Sequence, residues 1–324
     1  MRYRKFGRTG WDVSEIGFGA WQIGGDWGKV DDEASIDTLH YAFDKGINFV
    51  DTAEAYGEGH SEEVIGKALK QWKGGKIYVA TKARPIIWPN PNDDAPQMRG
   101  RFPEWYLREK VEGSLKRLQV ERIDLLQLHS FMPSAMVELD WLETLMKLRR
   151  EGKIDRIGVS LRDNRPQEGV DLVSAGLVDS VQTIFNMFEQ LPAGELFASG
   201  GRTQTAFIAR VPLDSGALVG AWNKESYAAF QPGSQPYNMF RGERFAETLA
   251  RVEQLKALAA PYYATLAEAA MRYVLSAPQL STLIPGMVSR QHVDMNIIYS
   301  DGKPFPDELK RQLPQHVWIR DYYH

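Results

Sequence analysis

Apolar and polar positions along this chain follow two rhythms. Short runs rich in Val, Ile, Leu and Ala predict strands at 16–20, 47–51, 77–82, 123–129, 154–160, 180–185, 205–209 and 281–284. Between most of these runs the period lengthens to that of a helix. In "DDEASIDTLHYAFDKG", Ile36, Leu39, His40 and Phe43 share one helical face, after an acidic start and before a stop at Gly46. "SEEVIGKALKQW" opens with a Ser cap and acidic first turn, "PEWYLREKVEGSLKRL" with Pro103, and "VELDWLETLMKLRREG" ends on basic residues and Gly152. Such ends suit the helix macrodipole and its unsatisfied backbone groups. Eight strands alternating with helices predict one α/β domain over residues 1–324, a (β/α)8 TIM barrel.

A doubly wound sheet is the rival. It would carry G-x-G-x-x-G between its first strand and first helix, whereas "GFGAWQIGG" has Gly17-Phe18-Gly19 with no third glycine in register. The opening "MRYRKFGRTGWDVSE" predicts a β-hairpin turning at "GRTG", placed to plug the barrel bottom. Two stretches break the rhythm. "ARPIIWPNPNDDAPQMRGRFP" follows the third strand and "RVPLDSGALVGAWNKESYAAFQPGSQPYNMFRGERF" the seventh. Both sit where barrel loops carry function, so they are expected as walls or lids, with surface insertion the alternative.

Composition narrows the chemistry. There is no cysteine, which excludes disulfides, thiolate catalysis and Cys-type metal sites. Lys plus Arg is 39 against 42 Asp plus Glu, a net charge of −3, giving no reason to expect nucleic acid or an acidic membrane as partner. The N-terminus lacks the apolar core of a signal peptide, and no apolar run nears the roughly 18 residues of a membrane helix. A soluble, cytoplasmic protein without a metal is expected. Oligomeric state is not legible.

The informative residues are polar groups where apolar strands stop. Asp51, Lys82 and His129 end the second, third and fourth strands, and Tyr56 follows on the loop after Asp51. Singly, each has a structural explanation: a capping aspartate, a solvated lysine, a packed histidine, a tyrosine under a loop. Together, adjacent strand tips of a barrel would bring them to one mouth. No Ser–His–acid arrangement, H-E-x-x-H or facing carboxylate pair accompanies them. A phenol pulled below its usual pKa of about 10 by Lys82 could protonate an oxygen gaining negative charge. Asp51 would orient Lys82, and His129 would donate to the substrate oxygen. The set holds neither nucleophile nor electron source, so a cofactor is implied.

The motifs "FVDTAEAYGEGHSEEVIGKAL", "IYVATK", "RIDLLQLH", "IGVS" and "IPGMVSRQHVDMN" resemble the aldo-keto reductase family, and the likeness covers essentially the whole chain. The resemblance implies a barrel that binds extended NAD(P)(H) across its C-terminal mouth. It also implies a catalytic tetrad of Asp51, Tyr56, Lys82 and His129, with hydride reaching a carbonyl carbon as Tyr56 protonates the oxygen. By the same resemblance, Ser160 and Gln182 bind the nicotinamide carboxamide. Leu161 stands where the family often has Asn, and Arg210 where many members place an aromatic ring under the nicotinamide. Pro212, Leu213, Gly216 and Leu218 match the pyrophosphate loop. Gly286, Val288, Ser289, Arg290, His292 and Asn296 match the adenosine site. Gly286 and His292 occupy positions that are often basic, leaving Arg290 to meet a 2′-phosphate. NADP(H) is therefore expected, with NAD(H) open.

Trp21, Trp27, Trp88 and Phe131 are expected to line the substrate pocket, and the tail "HVWIRDYYH" either joins them or packs elsewhere. Aromatic walls suit small ring-shaped or sugar-like carbonyls. The expected function is reduction of aldehydes or ketones, or oxidation of the matching alcohol or sugar. A cofactor-holding redox-sensing subunit with slow turnover is the alternative.

Overall fold

The computed structural model describes residues 1–90 and 92–322. A hairpin, β1 (Tyr3–Lys5) and β2 (Asp12–Ser14), pairs Tyr3 with Ser14 across a 3₁₀ turn at Gly7–Thr9. Eight parallel strands follow: β3 (Phe18–Gly19), β4 (Phe49–Asp51), β5 (Tyr78–Ala83), β6 (Ile123–His129), β7 (Ile154–Ser160), β8 (Ser180–Ile184), β9 (Ala206–Arg210) and β10 (Leu280–Ile284). Each pairs with its sequence neighbour. The sheet closes through bridges of Ile16 with Leu283 and Gly19 with Gly286. Closure demands a small residue at that seam. A Cβ on Gly19 would stand 2.6 Å from the Ile284 carbonyl oxygen. The fold is the (β/α)8 barrel with an N-terminal hairpin.

The main helices are α1 (Asp32–Asp44), α2 (His60–Gln71), α3 (Glu104–Leu118), α4 (Asp140–Arg150), α5 (Val170–Ser174) and α6 (Glu195–Thr203). After β9 come α7 (Gln235–Met239), α8 (Glu243–Ala259) and α9 (Leu266–Leu275), then α10 (Arg290–Ile297) and α11 (Asp307–Gln312). Their apolar faces seal the outside of the barrel in one continuous core. Inside, Phe49, Ala80, Leu125, Ala206, Ile208 and Ile284 pack on Phe6, Trp11 and Val13 of the hairpin segment. Trp11 stacks on Tyr78 with ring centroids 4.5 Å apart. The hairpin thus floors the barrel with aromatic area, as expected, and leaves the opposite end open for chemistry.

One helix start differs from expectation. Gly59, not Ser61, caps α2. The Ser61 hydroxyl lies 2.9 Å from the Ala20 carbonyl and 2.9 Å from the Thr52 hydroxyl, tying the first helical turn to the loop beneath it. Glu62 is fully buried, accepting from Thr81 at 2.5 Å and Arg117 at 2.7 Å. Tertiary partners outbid the local capping pattern. Among the described residues, no helix is long and apolar enough to cross a membrane.

Candidate active site

Strand tips place the chemistry. Asp51, Lys82 and His129 come from adjacent β4, β5 and β6, and the loop after β4 brings Tyr56 over them. Lys82 is fully buried, an expensive place for an ammonium unless every proton is met. Its Nζ donates to Asp51 Oδ1 at 2.5 Å, the Thr52 carbonyl at 2.7 Å and the Tyr56 hydroxyl at 3.1 Å. The other Asp51 oxygen accepts from Gln127 at 3.1 Å and Gln182 at 2.8 Å. The Tyr56 ring meets His129 edge-on at 5.8 Å and stacks on Trp21 at 5.9 Å.

Electrostatics assign protonation states. Burial alone would push the Lys82 ammonium down, but Asp51 and Tyr56 outweigh it and raise its pKa. Burial then raises the Tyr56 phenol above its ordinary value of 10.0, with Lys82 opposing. This reverses the expectation of a lowered phenol: desolvation of the anion exceeds the pull of one cation already shared with Asp51. His129 is held well below the usual imidazole range by burial, then by Lys82 and Arg210, so it is neutral. Its Nδ1 has no hydrogen-bond partner among the described residues.

A cavity of about 1020 Å³ opens above this cluster. It takes in Trp21, Trp27, Trp88, Ser160, Gln182 and Arg210, then Pro212, Leu213 and Gly216, and ends on Gly286, His292 and Asn296. One small ligand usually needs about 300–1,000 Å³, so the space suits an extended dinucleotide beside a small substrate. Asp214, Ser215 and Gly216 take φ of 50°, 54° and 103°, a tight left-handed turn closed by Asp214 N–H to the Val211 carbonyl and Gly216 N–H to the Leu213 carbonyl, which sets Ser215 and Gly216 at the cavity edge. Gly286 is a cradle: a Cβ there would stand 2.6 Å from Gln22 Oε1, an atom buried without a partner among the described residues. The chain's own groups therefore fit a nicotinamide dinucleotide.

Several expected site residues lie elsewhere. Phe131 is fully buried in the core and does not line the cavity. Ser130, at φ 142°, breaks the strand alternation after His129. Leu218 is likewise buried, behind the loop it was expected to line. Val288, Ser289 and Arg290 are not in the lining: Ser289 caps α10 by accepting from His292 N–H, and Arg290 is bound to Asp37. Gln182 is in the lining, with its amide nitrogen donating to Asp51 at 2.8 Å and to the Gln127 side-chain oxygen at 3.3 Å. Arg210 is paired with Asp163 and donates to the Leu161 carbonyl at 3.2 Å. That pairing explains how a guanidinium is tolerated beside the tetrad. In the tail, Trp318 packs on Phe188 at 5.3 Å, a core anchor, while Asp321 reaches the cavity. Tyr323 and His324 lie outside the described residues.

Three contributors escaped the sequence reading. Gln127 was detectable as the lone amide in "LLQLH", two positions before His129 and so on the same strand side. Asp163 carried a weaker signal, an acid next to Arg162 beyond a strand tip. Gln22 carried none. Among the described residues, no cluster of His, Cys, Asp or Glu is arranged to hold a metal.

The sequence and fold have known relatives. The model of the aldo/keto reductase family matches residues 15–316. The chain is 34% identical to "Aldo-keto reductase YhdN" of Bacillus subtilis, over 86% of this chain and 82% of that protein. It is 28% identical to the "NADH-specific methylglyoxal reductase" of Escherichia coli, over 92% and 93%. Among solved structures, the glycerol dehydrogenase AKR11B4 from Gluconobacter oxydans superposes with a TM-score of 0.75 at 29% identity, covering 94% of this chain and 92% of that one. With the match spanning nearly all of the barrel, the chain belongs to the aldo/keto reductase family of NAD(P)H-dependent oxidoreductases.

Proposed function

We propose that this protein reduces small aldehydes or ketones with NADP(H), or oxidises the matching alcohol or sugar, with Tyr56 as the general acid or base. The observation that carries this reading is the buried Lys82, which touches the Tyr56 hydroxyl at 3.1 Å while Asp51 and the Thr52 carbonyl fix it from below. The bound nicotinamide supplies or accepts the hydride.

The chain's residues manage the proton. With its pKa raised, Tyr56 is a neutral phenol at neutral pH and can give its proton to a carbonyl oxygen as that oxygen gains negative charge. Lys82 then donates to the phenolate left behind. Asp51 keeps Lys82 charged and aimed, and Gln127 and Gln182 keep Asp51 aimed in turn. Neutral His129 donates a hydrogen bond to the substrate oxygen without competing for the proton. In the oxidative direction Tyr56 acts as base, and the same Lys82 contact favours its deprotonation. Trp21, Trp27 and Trp88 wall the pocket with aromatic area, which suits compact carbonyl or sugar-like substrates.

The preference for NADP(H) rests on Arg290. Arg290 stands outside the cavity lining, at the start of α10, and its partner Asp37 is exposed; water screens such a pair, so a 2′-phosphate reaching past Asn296 and His292 can displace it. The Escherichia coli relative is named for NADH, which makes the preference a direct question for titration. Quenching of tryptophan fluorescence by NADPH and NADH, followed by a carbonyl and alcohol panel read at the nicotinamide absorbance, tests the proposal. Quenching by both, tighter with NADPH, and turnover on the panel are expected. No quenching by either overturns the reading, and binding without turnover favours the redox-sensing subunit.

A further inference from the structure

Tyr56 rides on a loop, 52–59, and the height of that loop decides where the phenol oxygen sits. Its base is hydrogen-bonded to β5: Thr52 N–H donates to the Ala80 carbonyl at 2.8 Å, and Glu54 N–H to the Lys82 carbonyl at 3.3 Å. A second tie crosses the loop. The Arg84 guanidinium binds Glu58 through two parallel bonds, Nη1 to Oε1 at 2.7 Å and Nη2 to Oε2 at 2.6 Å. Its Nε stands 3.4 Å from Glu54 Oε1, and its backbone N–H donates to that same oxygen at 3.1 Å. Glu54 precedes Tyr56 by two residues and Glu58 follows it by two. One side chain therefore grips the loop on both sides of the phenol.

Two features set this grip apart from an ordinary surface pair. Glu54 is only 4% exposed, and a buried carboxylate requires partners; Arg84 and Lys110, the latter at 3.7 Å, are the cations beside it. Glu58 has φ 52°, a left-handed conformation that a non-glycine residue keeps only where its surroundings hold it. The Glu58 carboxylate itself is 73% exposed, so the hold comes from the bidentate geometry and from a guanidinium already anchored on buried Glu54, not from burial of the pair. Arg84 also follows Lys82 by two residues along the same chain. Lys82 touches the phenol, and Arg84 fixes the loop that carries it. None of Arg84, Glu54 and Glu58 lines the cavity.

We propose that Arg84 is a positioning residue which, through Glu54 and Glu58, holds the Tyr56 hydroxyl at hydrogen-bonding distance from Lys82. The proposal rests on the reading of Tyr56 as the general acid. A misplacement of about 1 Å at a reacting group can cost on the order of 100-fold in rate, so loosening this grip acts on kcat rather than on cofactor binding.

The test compares Arg84→Gln, Glu58→Gln, the double variant and Arg84→Lys. Arg108→Gln is the control, since it breaks another bidentate carboxylate pair, with Glu151, remote from Tyr56 in the chain. Arg84→Gln should lower kcat roughly tenfold or more, with cofactor Kd and substrate KM within about twofold of the parent. The double variant should lose no more than Arg84→Gln alone, because both changes break one unit. Arg84→Lys should recover only part, since an ammonium cannot span both carboxylates. Arg108→Gln should leave kcat unchanged. Hydrogen exchange over 52–59 is read in the same variants and does not depend on turnover. Lost protection in Arg84→Gln and Glu58→Gln supports the inference, and unchanged protection overturns it. It is also overturned if kcat stays at the parent level, or falls only together with cofactor affinity and melting temperature. A parent enzyme that binds cofactor but turns nothing over sinks the acid assignment of Tyr56 instead, while the exchange data still judge the grip.

Discussion

A phenol beside an ammonium is a poor acid or a good one according to what else the ammonium serves. Here Lys82 is shared between Asp51, the Thr52 carbonyl and Tyr56, and burial outweighs what remains, so the phenol stays protonated. Residue types at adjacent strand tips were enough to predict that Asp51, Tyr56, Lys82 and His129 meet, because ionisable groups in that register need a common cause. They did not give the direction of the Tyr56 shift, which depends on desolvation and on competing acceptors. A second buried acid shows the same balance. Glu189, 3% exposed, is raised from 4.5 to about 7 by burial first, with Asp214 and Asp163 adding and Arg320 and Arg210 opposing. Its folded-state value lies above the unfolded one. The associated stability is therefore fully present below about 4.5 and lost as pH rises through about 7. At about 1.4 kcal/mol per pH unit, the loss is roughly 3 kcal/mol. Glu189→Gln should raise the melting temperature at pH 8 and leave it near the parent value at pH 5, by thermal unfolding at both; equal effects at both would refute the account.

At the scale of elements, β6 and β7 fall where the apolar runs predict, while β3 and β4 are shorter than their runs. Residues 16 and 47 are buried, but Ile16 makes only the single bridge to Leu283 at the seam, and the ladders of β3 with β4 and of β4 with β5 begin at Phe18 and Phe49. Burial patterns are legible in a sequence; hydrogen-bond registers depend on the neighbouring strand. The α2 start shows a related limit, since Ser61 and Glu62 look like capping residues and are held instead by Ala20, Thr52, Thr81 and Arg117. The loop before α2 is constrained at Gly57, where φ is 60° and a Cβ would stand 2.2 Å from the Gly24 carbonyl oxygen. Gly57→Ala must therefore push two backbones apart beside Tyr56. It should cost about 1–3 kcal/mol in denaturant unfolding and lower kcat as well. An unperturbed, fully active variant would show that the loop is looser than described.

For the whole molecule, closing the barrel and flooring it with the hairpin leave the cavity open at one end. The two long loops after β5 and β9 both reach the cavity there, through Trp88 and Pro89 from one and Pro212, Gly216 and Trp222 from the other. Their positions after strands were legible; which side chains face inward was not, as Leu218 in the second of them and Phe131 after β6 show by packing in the core. The proposed function converges on one oxygen, that of Tyr56. Replacing it alone, Tyr56→Phe, keeps the ring that stacks on Trp21 and removes the proton. Steady-state kinetics on the best substrate of the panel, alongside cofactor titration, should show kcat reduced by about 10²–10⁴ with cofactor Kd within about twofold of the parent. A Tyr56→Phe enzyme retaining a tenth or more of the parent kcat would contradict the account.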